Sequence, residues 1–120
     1  MTKKTKSIDD LIAVILKGID ELKGQDVQLL DLRKIENSVC DYFIICSGTS
    51  NTHVNAITGS IQKMTSKQLK DHPWHVEGEQ SSEWILLDYI NVVVHVFQKH
   101  TREFYDIESL WGDATITHIS

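Results

Sequence analysis

The sequence has 120 residues, a length that fits one domain with a single core. Its 41% hydrophobic and 24% charged residues are typical of a globular protein, and no apolar run reaches the ~18 residues of a membrane span. The formal net charge of −5, with basic residues spread along the chain, argues against a phosphate-binding surface for nucleic acid and favours a basic protein partner.

The first element predicted is a helix over residues 8–22. Residues 1–6 before it are basic, but no signal-peptide core follows them, so we expect a cytoplasmic protein. Ser7 and Asp10 suit a capped helix start, and Gly24 suits its end. The apolar side chains recur at helical spacing in one stripe: Ile8, Leu11, Ile12, Ile15, Leu16 and Ile19.

Two strands are predicted next, at residues 27–32 and 42–46. The second is a continuous apolar run, YFIIC, typical of a strand that is covered on both faces. Cys40 and Cys46 are the only cysteines and lie in or beside this run. We expect both to be reduced and buried, without a metal or redox role.

The rest of the chain predicts one more helix over residues 52–69, capped by Ser50 or Asn51, and then mainly strands. The further elements are strands at 74–77, 84–89 and 92–98, a last helix from an N-cap at Thr101 to Trp111, and a loose tail over 113–120. The order α-β-β-α-β-β-β-α predicts a single α/β domain spanning 1–120, folded over about 7–112. Its mixed five-stranded sheet has flanking helices.

Residues 84–89 and 92–98 are close enough to pair as an antiparallel hairpin around Ile90-Asn91. If the turn has two residues, the side chains that share the core face are all apolar or aromatic: Ile85, Leu87, Tyr89, Val92, Val94 and Val96. The opposite face then carries Trp84, Leu86, Asp88, Val93, His95 and Phe97. Aromatic residues beside one acid and one histidine fit a protein-binding surface. The alternative is that a helix covers this face and His95 is half-buried with its hydrogen bonds satisfied.

Gly48-Thr-Ser50, at a strand-to-helix turn, resembles the phosphate-binding loop of nucleotidyltransferases. Those enzymes hold magnesium with paired carboxylates soon after the loop, whereas residues 51–55 contain no acid. His72, His75 and Glu77 form a faint metal pattern without a fourth ligand. We therefore expect no enzyme activity, no metal and no cofactor, and keep a nucleotide-dependent transferase as the alternative.

Five segments in order carry a family resemblance. They are VCDYFIICSGTS at 39–50, VEGE at 76–79, EWILLDY at 83–89, VVVHVF at 92–97 and REFYDIESLW at 102–111. With them the chain resembles the ribosomal silencing factor family, also called the iojap-like family, over about residues 8–112. An adaptor for some other protein is a further alternative.

The resemblance implies a nucleotidyltransferase-like fold without the catalytic acids. It also implies binding to large-subunit ribosomal protein fourteen, where the two ribosomal subunits meet. The consequence would be blocked subunit joining and repressed translation, with little direct nucleic acid contact and no membrane. Family members often form homodimers off the ribosome.

The family's partner-binding surface maps onto Trp84, Asp88, Tyr89 and His95 in this sequence, and the hairpin argument adds Phe97. Trp84 is expected to be an apolar anchor and Asp88 an acceptor for basic groups, while His95 donates or accepts a hydrogen bond. Trp111, at a helix end, either packs in the core or edges the interface.

The hairpin turn departs from the family pattern, which usually has Gly-Asp where this chain has Ile90-Asn91. A β-branched Ile resists positive φ, so a different or longer turn is predicted. A slip of one residue in register would exchange the two faces of the hairpin.

Overall fold

The computed structural model describes residues 7–120, which form one mixed sheet flanked by helices. The elements are α1 (Ile8–Glu21), β1 (Gln25–Asp31), β2 (Tyr42–Gly48), α2 (Asn51–Leu69), β3 (His75–Glu77), β4 (Trp84–Asp88), β5 (Val92–Gln98), α3 (Lys99–Tyr105), α4 (Ile107–Leu110) and β6 (Thr115–His118). The strand order is β3-β4-β5-β2-β1-β6, in which β2 and β5 are parallel and the other neighbours antiparallel. The predicted single-domain α/β fold with a mixed sheet is confirmed, with six strands where five were expected.

Both long helices begin where the sequence predicts. The side chain of Ser7 accepts a hydrogen bond from the N–H of Asp10 at 3.0 Å, and that of Ser50 accepts one from His53 at 3.1 Å. These caps satisfy N–H groups that a helix leaves without partners in its first turn. Further along, α1 crosses α2 closely at Gly18, since a Cβ there would lie 3.0 Å from the Cα of Ile61.

One face of the sheet packs against α1 and α2. The apolar stripes of the two helices meet the inward side chains of β2, β4 and β5 in one core cluster, which includes Ile15, Ile19, Val54, Ile57, Ile61, Ile44, Cys46, Ile85, Leu87, Val94 and Val96. Strand β2 is buried along its whole length, as the apolar run predicts. Cys46 is fully enclosed, and burial raises the pKa of its thiol to about 12. Both cysteines are free, and Cys40 is only partly buried.

The other face carries a smaller core under the C-terminal segment. Its buried members are Leu30, Leu32, Phe43, Ile45, Val93, Phe97 and Ile107. Trp111 packs against this cluster, with its ring 5.6 Å from that of Phe43 in an edge-on arrangement. The short helices therefore cover only part of this face, and the remainder forms the surface described below.

The C-terminal segment differs from its prediction in two ways. The last helix begins at Lys99, so Thr101 lies inside it instead of capping it, and the left-handed backbone of Asp106 (φ 46°) divides it into α3 and α4. The predicted loose tail is wrong as well: β6 pairs antiparallel with β1, with Ile116 opposite Leu30. A strand of four residues with exposed threonines carries too weak a pattern to detect, because its pairing partner is some 85 residues away in sequence.

None of the helices in the described part of the chain is both long and apolar enough to span a bilayer.

Candidate protein-binding surface

The uncovered part of the second sheet face forms a hollow of about 410 Å³. Its lining consists of Val39, Phe43, Trp74, Leu86, Asp88, Ile90, Val93 and His95. Phe43, Val93 and His95 are buried and form its floor, whereas Val39, Trp74 and Ile90 are exposed at its rim. A concavity with exposed apolar residues at its rim is the kind of surface that binds another protein.

The hairpin of β4 and β5 supplies the centre of the hollow. Leu86 pairs with His95 and Asp88 with Val93, so these four side chains share one face. The predicted register, with Ile85 opposite Val96 and Leu87 opposite Val94, is confirmed. The rim residue Trp74 is held by its backbone N–H, which donates to the carbonyl oxygen of Asp88 at 2.6 Å.

The hairpin turn is tighter than its sequence predicts. Ile90 adopts φ 78°, and the N–H of Asn91 donates to the carbonyl oxygen of Tyr89 at 3.0 Å, which makes a γ-turn centred on Ile90. The carboxylate of Asp88 accepts a hydrogen bond from the N–H of Ile90 at 2.7 Å and supports this backbone. The expected resistance of Ile to positive φ is therefore overcome locally, and the register does not slip.

Trp84 and His95 are joined by a side-chain hydrogen bond. The indole N–H of Trp84 donates to Nδ1 of His95 at 3.1 Å, and an indole nitrogen can only donate. In neutral His95 the proton therefore lies on Nε2. His95 is 4% exposed, and this burial lowers its pKa to about 4, so the ring is neutral near pH 7. Its buried Nε2 has no hydrogen-bond partner within residues 7–120.

An aromatic cluster supports this pair. The ring of Trp84 stacks on Phe97 with centroids 4.7 Å apart and contacts Tyr105 at 5.0 Å. The ring of His95 meets Phe43 edge-on at 4.5 Å. These contacts fix the orientation of both rings.

The structure brings together three of the five residues predicted for partner binding. Trp84, Asp88 and His95 lie on the second sheet face, and Asp88 and His95 line the hollow. Tyr89 instead belongs to the opposite core, where its hydroxyl and that of Thr65 are 2.9 Å apart. Phe97 is on the expected face but 0% exposed under Trp84. Neither Tyr89 nor Phe97 lines the hollow.

The alternative expectation, that this sheet face is covered, therefore holds for the part around Phe97 and fails for the part that forms the hollow. The aromatic cluster buries Phe97 and most of His95, but the side chain of His95 is not satisfied at both nitrogens.

Sequence reasoning missed the exposed rim of the hollow. Trp74 is 78% exposed beside Pro73, whereas its sequence predicts only that it begins a strand. A tryptophan set among the polar neighbours His72, His75 and Glu77 is the signal that could have pointed to it. Val39 and Ile90 carry no such signal, because their roles depend on a loop and a turn that only the folded chain brings together.

The other site candidates from the sequence have structural roles. Ser50 of the glycine–serine loop caps α2, and the N–H of Thr49 donates to Nδ1 of His53 at 2.9 Å. His75 pairs with Glu77 at 2.6 Å on the exposed surface. Over the described range, no three His, Cys, Asp or Glu side chains are grouped so as to hold a metal ion.

Comparison with known proteins assigns the family. The model of a family described as "Ribosomal silencing factor during starvation" matches residues 5–120. Proteins named Ribosomal silencing factor RsfS from Halalkalibacterium halodurans and Bacillus subtilis are each 35% identical to this chain. The first alignment covers 90% of this chain and 91% of the relative, and the second 91% of each. A maize protein named Iojap, chloroplastic, is 31% identical over 84% of this chain and 43% of its own length.

Solved structures agree with this assignment. A crystal structure of a Chromobacterium violaceum protein superposes with a TM-score of 0.83 at 34% identity, covering 89% of this chain and 88% of that one. A second, from Bacillus halodurans, gives a TM-score of 0.79 at 31% identity, covering 92% and 99%. The fold and the sequence therefore lead to one conclusion, that this chain belongs to the ribosomal silencing factor family.

Proposed function

We propose that this chain is a non-catalytic translation repressor that binds protein fourteen of the large ribosomal subunit and sterically blocks joining of the small subunit. Membership of the ribosomal silencing factor family supports a role at the ribosome. The observation that carries the choice of a protein partner is the hollow, which exposes Trp74, Val39 and Ile90 around a carboxylate. Exposed apolar groups of this kind are normally buried when the protein binds its partner.

The charge of the chain supports a basic protein as the partner. The formal net charge is −5, and Asp88 places a carboxylate in the hollow. One oxygen of that carboxylate accepts the N–H of Ile90, which leaves the other for a basic group or backbone N–H of the partner. Complementary charge speeds association and selects among partners, whereas bare RNA would be repelled. Direct contact with nucleic acid should therefore contribute little to binding.

The size of the chain supports a steric mechanism. The molecule measures 46 × 34 × 25 Å along its principal axes. A stable interface of about 1,200–2,000 Å² would take roughly half that area from this chain, which a body of these dimensions can supply on one face. Because even its shortest dimension is 25 Å, a bound molecule would keep two closely apposed surfaces apart.

We place this activity in the cytoplasm, where bacterial subunits join, and further propose that off the ribosome the same hollow forms a homodimer. One apolar surface would then serve both contacts, so dimerisation and ribosome binding would compete.

Sedimentation of purified ribosomal subunits tests the proposal. With the protein in excess, the large subunit should carry it through the gradient, and the joined ribosome peak should fall while the separate subunits rise. Equal joining with and without the saturating protein would contradict the steric mechanism. Capture from lysate adds a check on the partner, since recovery of some other complex without large subunits would favour an adaptor role.

A further inference from the structure

A polar cavity of about 280 Å³ lies at the carboxyl ends of the parallel strands β2 and β5. Ser47 of β2 and Lys99, directly after β5, line this cavity, and its other lining residues are also polar or charged. The hollow lies towards the amino ends of the same two strands, at Phe43 and Val93. The cavity is therefore separate from the hollow, and the proposed function gives it no role.

The path of the chain makes this end of the sheet a common place for a ligand. After β2 the chain enters α2, which packs with α1 on the first sheet face. After β5 it enters α3, whose Tyr105 contacts Trp84 on the second face. Where neighbouring parallel strands send their connections to opposite faces, a crevice opens at their carboxyl ends, and α/β proteins bind ligands in it.

Arg102 supplies this cavity with a hydrogen-bond donor that the fold leaves unused. Its side chain is only 9% exposed, and its Nε donates to the carboxylate of Glu108 at 2.8 Å. Its Nη1 donates to the carbonyl oxygen of Asp26 and to the hydroxyl oxygen of Ser47, each at 2.8 Å. Nη2 has no hydrogen-bond partner among residues 7–120 and is not enclosed by them, so a molecule in the cavity can reach it. Because three hydrogen bonds hold the guanidinium, this donor is already oriented.

The charges around the cavity select a ligand that carries both signs. Nη2 of Arg102 and the exposed ammonium of Lys99 can bind a carboxylate. The exposed carboxylates of Glu103 and Asp106 can bind an ammonium group. A simple anion would meet more acidic than basic side chains, and a simple cation would leave Nη2 of Arg102 without an acceptor. An α-amino acid carries an ammonium group and a carboxylate on one carbon, so it fits both sets.

We propose that this cavity binds an α-amino acid with a short polar side chain. The carboxylate of the ligand binds Nη2 of Arg102 and the ammonium of Lys99. Its ammonium group binds the carboxylates of Glu103 and Asp106. Drug-sized ligands occupy pockets of about 300–1,000 Å³, so a cavity of about 280 Å³ suits a smaller molecule, and its polar lining disfavours a large aliphatic side chain. The site lies outside the hollow and does not depend on the proposed function.

Nitrogen–proton NMR of the full chain with three related small molecules tests the class of ligand. L-Serine carries both charged groups, whereas L-serinamide lacks the carboxylate and glycerate lacks the ammonium group. L-Serine should shift the backbone amide signals of Ser47, Arg102 and Asp106 in a saturable way, with a dissociation constant of roughly 1 mM or lower. The two analogues should bind about 10-fold more weakly, because each loses charge-assisted hydrogen bonds. No saturable shift with L-serine, or equal binding of either analogue, would overturn the proposal.

Variants of the charged side chains test the residues. Lys99 and Glu103 are exposed, so Lys99→Gln and Glu103→Gln should fold, and each should weaken L-serine binding several-fold. Lys63→Gln removes the same charge as Lys99→Gln from the exposed surface of α2, outside the cavity, and should bind L-serine as the wild type does.

Arg102→Lys keeps the positive charge but removes Nη2, so it should lose most of the L-serine affinity if its amide spectrum shows an intact fold. Should this buried substitution prevent folding, the two exposed variants decide the matter. Unchanged affinity in folded Lys99→Gln and Glu103→Gln would show that the cavity does not hold the ligand as proposed.

Discussion

The indole N–H of Trp84 and Nδ1 of His95 lie 3.1 Å apart, and this one hydrogen bond ties the aromatic cluster to the floor of the hollow. It joins adjacent strands, because Trp84 pairs with Phe97 and the side chain of His95 lies on the same face two residues away. The bond requires an unprotonated Nδ1, so the local structure depends on His95 remaining neutral.

Acid should therefore destabilise the fold through His95. Its pKa falls from the ordinary 6.5 to about 4 because burial disfavours the charged ring. Below pH 6.5 the unfolded chain binds a proton at His95 that the folded chain does not bind until about pH 4. The contribution of His95 to stability should therefore decline as the pH drops through that window and then level off. The full difference corresponds to about 3 kcal/mol.

Urea unfolding across this pH range checks the expectation. His95→Gln has no titrating group at the site, so its stability should depend less on pH than that of the wild type. Parallel pH profiles for the two proteins would show that His95 does not contribute.

Trp74 should be an anchor for the partner protein without being important for folding. Its side chain is 78% exposed at the rim of the hollow, so Trp74→Ala should change the free energy of unfolding by less than about 0.5 kcal/mol. Binding to the large subunit should weaken by about 2 kcal/mol, as expected when an aromatic anchor of an interface is truncated.

Phe104→Ala is the matched control for Trp74→Ala. Phe104 is 80% exposed on α3 and does not line the hollow. Equilibrium binding of both variants to purified large subunits measures the difference. An equal loss in both would mean that the binding surface extends beyond the hollow to α3, and a loss in Phe104→Ala alone would move the site there.

Salt should weaken binding only modestly. A protein that neutralises many phosphates loses affinity steeply, by about 0.9 in log K per phosphate for each tenfold rise in salt on duplex nucleic acid. This chain is acidic, and its proposed contact consists of the hollow and one carboxylate. Because such a contact neutralises few phosphates, binding should release few counterions from RNA. Binding isotherms at several salt concentrations give the slope, and a steep one would identify ribosomal RNA as the main contact.

Replacing Ile90 by glycine should stabilise the hairpin. Ile90 adopts φ 78°, a conformation that a β-branched residue resists and glycine accepts, and its exposed side chain loses little buried area when removed. We expect a gain of about 1 kcal/mol in the free energy of unfolding. Ile90→Val keeps the β-branch and should show no gain in the same urea experiment. Destabilisation by Ile90→Gly would mean that contacts of the Ile side chain outweigh the backbone strain.

Two long helices, the buried strand β2 and the pairing of β4 with β5 could be predicted from the sequence alone, whereas the exact register of the hairpin depended on its turn. Each of these elements depends on patterns among residues that are close together in the sequence. Caps at Ser7 and Ser50 start the helices, and apolar periodicity marks their inner stripes. The short connection between β4 and β5 predicts that they pair as a hairpin. The motif segments also determined the family.

Which part of the second sheet face is covered depends on contacts between segments that are distant in sequence. Strand β6 is too short and too polar to predict, yet its pairing with β1 turns an expected tail into part of the sheet. The helix break at Asp106 leaves α3 and α4 over one part of the face only, which buries Phe97 and leaves the hollow open beside it. Trp74 and Val39 come from segments outside the hairpin that carries Asp88 and His95, so no local pattern could show that they meet it. Their proximity follows from pairing between residues distant in sequence, which depends on the whole sheet.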